Sequence, residues 1–337
     1  GKSYVYGNMS ISNKSAITFS VNATIYGDFS AKDNSTLNTA AEQTKIGTSS
    51  AYKSAKFNNS TWNADGGCYV YGELTLENDS NIKQKNTFHA YSDVHMDKSA
   101  WTSSTANGSI CKTMIDGKLT AENQSTLTTV GQLTVGLSDK YTSAVFDNSV
   151  WNDQKSGYVY GTMTLKNKAS LNQTGSFRVY DDMTVKDSTW KNAKTSSTVD
   201  GDLTVTNSTV TGTGEKKTSG TSEQFNIKKN MNVSDSTISS QLKFFVGEKV
   251  TSSNTKFQFD RSVKFGLNYE PSSGLVDLNS LKDIWESTKD SVIITAEYKP
   301  QEEDQVWNYV MGHAKFNDTQ LVFMAPVSIW GNYKNEG

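Results

Sequence analysis

With 337 residues, of which 35% are hydrophobic and 11% aromatic, the chain is too aromatic for a disordered polymer and too polar for a thick globular core. Its net charge of −2, with Arg178 and Arg261 as the only arginines, leaves no basic field for nucleic acid or anionic lipid and little capacity for bidentate anion capture. No apolar run approaches the roughly 18 residues of a membrane span, and two cysteines, Cys68 and Cys111, cannot make a CxxC metal or redox site.

A phrase recurs from the first residues onward. YVYG stands at Tyr4–Gly7, Tyr69–Gly72 and Tyr158–Gly161, each time leading into a similar sequence. The chain therefore opens inside a repeat and is read as a piece of a longer or processed protein. With the glycine as zero, the frame returns at Gly27, Gly47, Gly72, Ser92, Gly117, Gly136, Gly161, Asp181 and Gly201, in steps of 19 to 25 residues. Weaker versions follow at Asn230 and Gly247. A longer period of 89 residues relates Gly72 to Gly161 and the whole segment 46–72 to 135–161. Four steps per long period fit a solenoid of about 22 residues per turn better than a propeller, whose blades need about 40–45.

Within the frame, apolar residues alternate. Position −2 holds Val5, Ile25, Val70 and Val159, position +2 holds Met9, Phe29, Leu74 and Met163, and position +4 holds Ile11, Ala31, Leu76 and Leu165. This period of two predicts a strand with one inward face. Position +6 is Asn13, Asp33, Asn78, Asn123, Asn167, Asp187 and Asn207. These side chains tolerate the left-handed conformation of a sharp bend, and stacked copies predict a hydrogen-bonded ladder. A second inward strand follows the bend, marked by Leu37, Ile82, Trp101, Leu127, Leu171 and Trp190. Five-residue insertions after Gly47, Gly136 and Trp101 predict loops leaving the solenoid, the usual place for contacts with partners. Cys68 and Cys111 fall about two coils apart. Regular stacking holds them about 9–10 Å from one another, so a disulfide requires loops to bring them together, and the alternative is two thiols.

The frame loosens after Thr211 and is lost near residue 262. Residues 1–261 are thus read as the repeat domain and 262–337 as a C-terminal capping region, with a small separate binding domain as the sharper alternative. The stretch LNSLKDIWES predicts a short helix with Leu278, Leu281 and Trp285 on one side, while SVIITAEY and TQLVFMAPVSIW read as strands.

Little points to catalysis. Asp181 and Asp182 are the only adjacent acids at a frame origin, and Asp116 and Asp200 each precede a zero glycine. Glycoside hydrolysis needs two carboxylates placed across one bond, and a lyase acting on uronates needs more cations than Arg178. His89 and His95 fall at outward positions without a third ligand, and His313 is isolated. No phosphate-binding loop spacing occurs. No enzyme activity, catalytic residue, cofactor or metal is expected. The outward position −1 carries Tyr6, Tyr26, Tyr71, Tyr91, Tyr160 and Tyr180, next to a row of Ser and Thr at +3. One reading is cross-coil stacking of Tyr6 on Tyr26, Tyr71 on Tyr91 and Tyr160 on Tyr180, contributing about 0.2–1 kcal/mol per pair. The other is a contact stripe for a sugar or a protein.

The phrases GELTLENDSNI, GTMTLKNKASL and GDLTVTNSTV resemble the passenger repeats of autotransporter adhesins of the AIDA type, over about residues 4–255. The resemblance implies an all-β, single-stranded, right-handed parallel β-helix, exported by Gram-negative bacteria to the cell surface or secreted. It implies adhesion, self-association or biofilm formation, with a host glycan, a protein receptor or a second copy as partner. No nucleic acid and no direct membrane insertion of this segment are implied. The alternative on the same scaffold is a polysaccharide lyase, a glycoside hydrolase or a phage tailspike.

Overall fold

The computed structural model describes residues 1–40, 42–104, 111–193, 195–214, 223–269, 281–295 and 308–336. The chain divides into two compact units, Gly1–Leu171 and Asn172–Gly337. Within each, coils of three short strands follow one another. One coil is Asn22–Ile25, Phe29–Lys32 and Thr36–Thr39. Each strand pairs in parallel with its counterparts one coil away, as Val5 with Ile25 and Ile25 with Ile46. Among the described residues the first unit thereby builds two sheets of eight strands and a third of seven, with Ser170–Gln173 straddling the boundary. The described residues of the second unit hold seven, seven and six strands in the same three-sheet arrangement. Strand, crossover and parallel strand in one sheet is a right-handed connection, and this is a right-handed parallel β-helix. The single short helix among the described residues is a 3-10 turn at Leu267–Tyr269, and no helix is long and apolar enough to cross a membrane.

The alternating residues take their expected faces. Ile25, Phe29, Ala31 and Leu37 of one coil, and Val70, Leu74, Leu76 and Ile82 of another, are buried in the interior. The two strand positions read as one strand are in fact two. Position −2 ends the first strand, +2 begins the second, and the zero residue sits at the corner between them, as at Ser156–Val159 and Met163–Lys166. The corner is short enough to leave the inward phase unbroken. A Cβ at Gly72 would lie 2.5 Å from the carbonyl carbon of Lys53 in the coil before, so the zero position is crowded by stacking. Gly47 and Gly136 are not zero residues: Ile46 is the partner of Ile25, which places Gly47 where other coils carry tyrosine.

Four tryptophans occupy equivalent places in third-sheet strands, Trp62, Trp101, Trp151 and Trp190, and all are fully buried. A buried indole N–H needs an acceptor. Each has one on the coil before: Thr39 Oγ1 at 3.0 Å, Gln84 Oε1 at 2.9 Å, Thr129 Oγ1 at 3.0 Å and Gln173 Oε1 at 3.2 Å. Gln84 also accepts from Thr113 Oγ1 at 2.9 Å, and Gln173, 89 residues later, from Ser197 Oγ at 2.9 Å. The long period thus repeats an interior hydrogen-bond set as well as a surface phrase.

Two features depart from the sequence reading. The helix expected from Leu278 to Trp285 is absent where the structure describes it. Asp283–Thr288 is a strand paired with Val250–Ser253, burying Ile284 and Trp285 together, and Leu278 lies outside the described residues. Coils also continue where the frame is lost. Val263–Phe265, Ser291–Ile294, Asn308–Val310 and His313–Asn317 all pair in the same three sheets. The stretch TQLVFMAPVSIW, read as strand, holds two of them, Gln320–Phe323 and Val327–Ile329.

Candidate binding face

Two corners carry the outward residues singled out by sequence. At the first, between first and second strands, Tyr6 is 81% exposed and stacks on Tyr26 with centroids 5.4 Å apart and planes 2° from parallel. Tyr71 stacks on Tyr91 at 4.4 Å, and the imidazole of His89 lies 3.7 Å from Tyr91 on this pile. Burial, ahead of the neighbouring Tyr71, pushes the Tyr91 phenol up to about 12, so it stays protonated. Both Tyr71 and Tyr91 are half-buried. Tyr160 lies in the first unit and Tyr180 in the second, where the Arg178 guanidinium sits 4.3 Å over the Tyr180 ring.

His89 is not the freely exposed side chain its outward position suggests. Its Nε2 is 2.8 Å from Asp116 Oδ1, and only 16% of the side chain is exposed. The same constellation recurs 89 residues on. Arg178 donates from Nε and Nη2 to Asp200 Oδ2, at 2.9 and 2.6 Å, and Lys228 Nζ reaches Asp200 Oδ1 at 2.7 Å. A basic side chain, a tyrosine two residues later and an aspartate from the next coil form one surface unit, built twice. Its partners lie 27 and 22 residues apart, a spacing that only coil lengths explain. Of the other acids weighed for catalysis, Asp182 Oδ1 accepts the backbone N–H of Asp202 at 2.8 Å. That bond belongs to a corner ladder in which Asn8, Asp28 and Asp93 cap the next coil in the same way.

At the second corner, all seven residues at +6 hold positive φ, from 46° to 60°, as a one- or two-residue bend requires. The ladder there pairs amide with carboxylate. Asn123, Asn167 and Asn207 donate from Nδ2 to Asp97, Asp147 and Asp187 at 2.7, 2.8 and 2.6 Å. The bond from Asn167 is the chief reason that the Asp147 carboxyl is held below the usual range. Behind the bend runs a buried serine column that the sequence reading missed: Ser35, Ser60, Ser80, Ser99, Ser125 and Ser149 in the first unit. Each Oγ donates to the carbonyl just before its bend, as Ser80 to Glu77 at 2.6 Å and Ser99 to Asp97 at 2.8 Å. Its signal was available as a Ser one or two residues after the bend residue at all six of these places.

Two of the predicted insertions are built loops at the first corner. Gly47 and Gly136 turn out of the coil at φ of +78° and +80°, and single bridges, Thr48 to Ala51 and Leu137 to Lys140, close the loops. Each carries a tyrosine that sequence reasoning passed over, Tyr52 at 62% and Tyr141 at 56% exposure. The tyrosine shared by the two segments across 89 residues was its signal. The third insertion, after Trp101, lies at 105–110, outside the described residues. Cys68 and Cys111 are separate buried thiols, donating to Gly66 O and Asn86 O, and burial raises them to about 12 and about 11. Among the described residues no group of three His, Cys, Asp or Glu is placed to hold a metal ion. No family model matches the chain, and neither does any curated protein or solved structure.

Proposed function

We propose that the protein is a bacterial surface adhesin, the passenger of an autotransporter, which binds a host glycan, a host protein or another copy of itself through the side of its β-helix. One observation carries this reading. Within each unit the first corner presents outward tyrosines beside a basic side chain paired with an aspartate, His89 with Asp116 in the first and Arg178 with Asp200 in the second, on a backbone fixed by cross-coil bonds. A rigid side with repeated contacts serves adhesion, because multiplied weak contacts sum to strong attachment. The acids a hydrolase would draw on are engaged otherwise, Asp116 with His89 and Asp200 with Arg178 and Lys228. Residues 262–337 serve in this reading as the cap that covers the end of the repeat domain.

The test is adherence of the purified chain to epithelial cells and to glycan-coated surfaces, with sedimentation analysis of its self-association and a polysaccharide-degradation screen run in parallel. Binding or concentration-dependent association is expected. A monomer that binds no surface and shortens a polysaccharide would sink the adhesin reading in favour of a lyase, hydrolase or tailspike.

A further inference from the structure

Tyr52 and Tyr141 stand apart from the other outward tyrosines. The rings of Tyr71 and Tyr91 face one another and His89, so much of their surface is already covered. Tyr52 only meets Tyr71 edge to face, at 6.4 Å and 88°, and keeps 62% of its surface open. A large aromatic side chain held at a loop tip forgoes burial worth roughly 1.5–3 kcal/mol.

The loops hold their tyrosines firmly. A Cβ at Gly47 would come within 2.8 Å of Lys53 N, and one at Gly136 within 2.7 Å of Tyr160 O, so at +78° and +80° both positions call for glycine. Thr48 and Ala51 exchange backbone bonds of 2.9 and 3.1 Å, and Leu137 and Lys140 exchange two of 3.1 Å. The next coil ties each loop down: Gly72 N donates to Lys53 O, and Thr142 N donates to Tyr160 O, both at 2.9 Å. Between Gln43–Ile46 and Gln132–Val135 the first sheet advances four strands. At 4.7–4.9 Å per strand the two equivalent tyrosines are about 19 Å apart along the stack.

We propose that Tyr52 and Tyr141 are a matched pair of sugar-stacking platforms whose ligand is a linear, uncharged glycan long enough to reach both. This rests on the adhesin reading and names its partner. An exposed phenol ring offers a flat apolar face to the C–H face of a pyranose and a hydroxyl to its rim. Repetition selects the occupant: two identical knobs at a fixed spacing match a ligand whose own chemistry repeats, whereas a folded receptor presents a given epitope once. Charge selects its class. The first loop carries only Lys53 and the second carries Asp139 and Lys140, so no net charge is common to both that would anchor an anionic glycan. Linking the two weak contacts through one polymer raises affinity by about 10²–10⁴ over either alone.

The test uses the whole chain in gels containing soluble β-glucan, mannan or galactan, with titrations of matched oligosaccharides two and eight sugars long. At least one polymer is expected to retard the protein. Tyr52→Ala or Tyr141→Ala should weaken binding of the polymer and the octasaccharide about 10-fold or more, and the double variant should run at the background rate. Disaccharide affinity per remaining site should stay unchanged in each single variant, and Tyr52→Phe should keep most polymer binding. Unchanged thermal unfolding confirms that the variants fold. The proposal is overturned if no polymer retards the wild type, or if the double variant is retarded equally. It is also overturned if the double variant loses only self-association, which would make the occupant a second copy. Cell binding that survives in the double variant removes this site and leaves the adhesin reading standing. A wild type that binds neither cells, surfaces nor itself removes the adhesin reading.

Discussion

In the first unit the second corner opens with two double left-handed bends, Asn13–Lys14 and Asp33–Asn34, and from there single and double bends alternate. Asn59, Lys98 and Asn148 are single, and Asn78–Asp79, Asn123–Gln124 and Asn167–Lys168 are double. In the second unit Asp187, Asn207, Asp235, Asn254, Lys289 and Asp318 are single bends throughout. Yet the strands on either side keep the same register in both. The reason is the serine behind the bend. Its Oγ reaches the carbonyl three residues back at a double bend, as Ser35 to Lys32 at 2.6 Å, and two back at a single one, as Ser208 to Thr206 at 2.6 Å. A corner closed from inside by a side chain tolerates one residue more or less without disturbing the sheets. The interior, by contrast, is filled alike in both units, and it therefore carries the larger energies.

The largest expected effect tests that shared interior. Trp101 in the first unit packs against Phe88 with centroids at 4.7 Å, and Trp190 in the second packs against Phe225 at 5.0 Å. Trp101→Ala and Trp190→Ala should each cost about 3–5 kcal/mol, measured as the shift in denaturant midpoint at constant slope. Part of that loss is the indole N–H bond to Gln84 or Gln173, whose Oε1 keeps its bond from Thr113 or Ser197. A cost under about 1 kcal/mol at either site would break the claim that the two interiors are filled alike.

The next effect depends on pH and sets one coil of the first unit against its counterpart. Ala64 and Asp153 are equivalent across the 89-residue period, and both are fully buried. Asp153 Oδ1 accepts from Thr129 Oγ1 at 3.4 Å, and burial pushes its carboxyl up to about 7. An unfolded aspartate titrates near 3.9. Between these values the folded chain keeps a proton that the unfolded chain has lost, so this carboxyl's contribution to stability is greatest below about pH 4 and falls as pH rises toward 7. The fall amounts to at most about 4 kcal/mol and levels off above pH 7. Unfolding midpoints collected from pH 4 to 8 should show this slope, and Asp153→Ala, which installs the residue of the earlier coil, should remove that contribution. A variant retaining the full slope would assign it to other groups.

How much of this was legible beforehand follows the same division. Inward residues such as Ile25, Phe29 and Leu37 announced themselves because a period of two repeated every 20–25 residues has no helical explanation. The left-handed bends were legible because Asn and Asp favour that conformation. What sequence could not give was the register between coils. His89 and Asp116, or Arg178 and Asp200, meet only once coil lengths are known, and Gly47 imitates a frame glycine while standing one place early. Near residue 262 the spacing between partners one coil apart lengthens, as from Val250 to Trp285 and from Phe265 to Val310, until the period can no longer be counted, although Val263, Trp285 and Val310 still point inward. The spacing of Leu278, Leu281 and Trp285 looked helical because short strands and amphipathic turns share such intervals, and pairing with Val250–Ser253 decided for the strand.

The bends themselves give a smaller, graded effect. Forcing a residue with a Cβ and no polar side chain into the left-handed region costs about 1–2 kcal/mol. Asn78→Ala with Asp79→Ala should therefore cost the first unit about twice what Asn207→Ala costs the second, with Asn207→Ala adding the lost bond to Asp187. Glycine at the same places should restore most of the loss, since it adopts these angles without strain. Equal costs for the double and single bends, read from unfolding midpoints, would show that only one residue of each double bend is truly constrained.

The smallest effect is a gain, at the one coil where the first unit breaks its own rule. Ala169 stands behind the double bend Asn167–Lys168, in the place that Ser80 and Ser125 fill behind theirs, and it is 1% exposed. Its backbone N–H already donates to Lys166 O at 3.2 Å, as Ser80 and Ser125 donate to Glu77 O and Glu122 O. Only the hydroxyl is missing. Elsewhere that hydroxyl also accepts from the serine one coil back, as Ser80 Oγ from Ser60 N at 3.2 Å and Ser125 Oγ from Ser99 N at 3.1 Å. Ala169→Ser supplies both bonds at a site shaped for them, with Lys166 O to receive one and Ser149 N to give the other. The expected gain is about 0.5–1.5 kcal/mol, seen as a higher unfolding midpoint. A loss instead of a gain would mean that the coil has closed around the methyl group, and that the bend, not the serine, sets the register there.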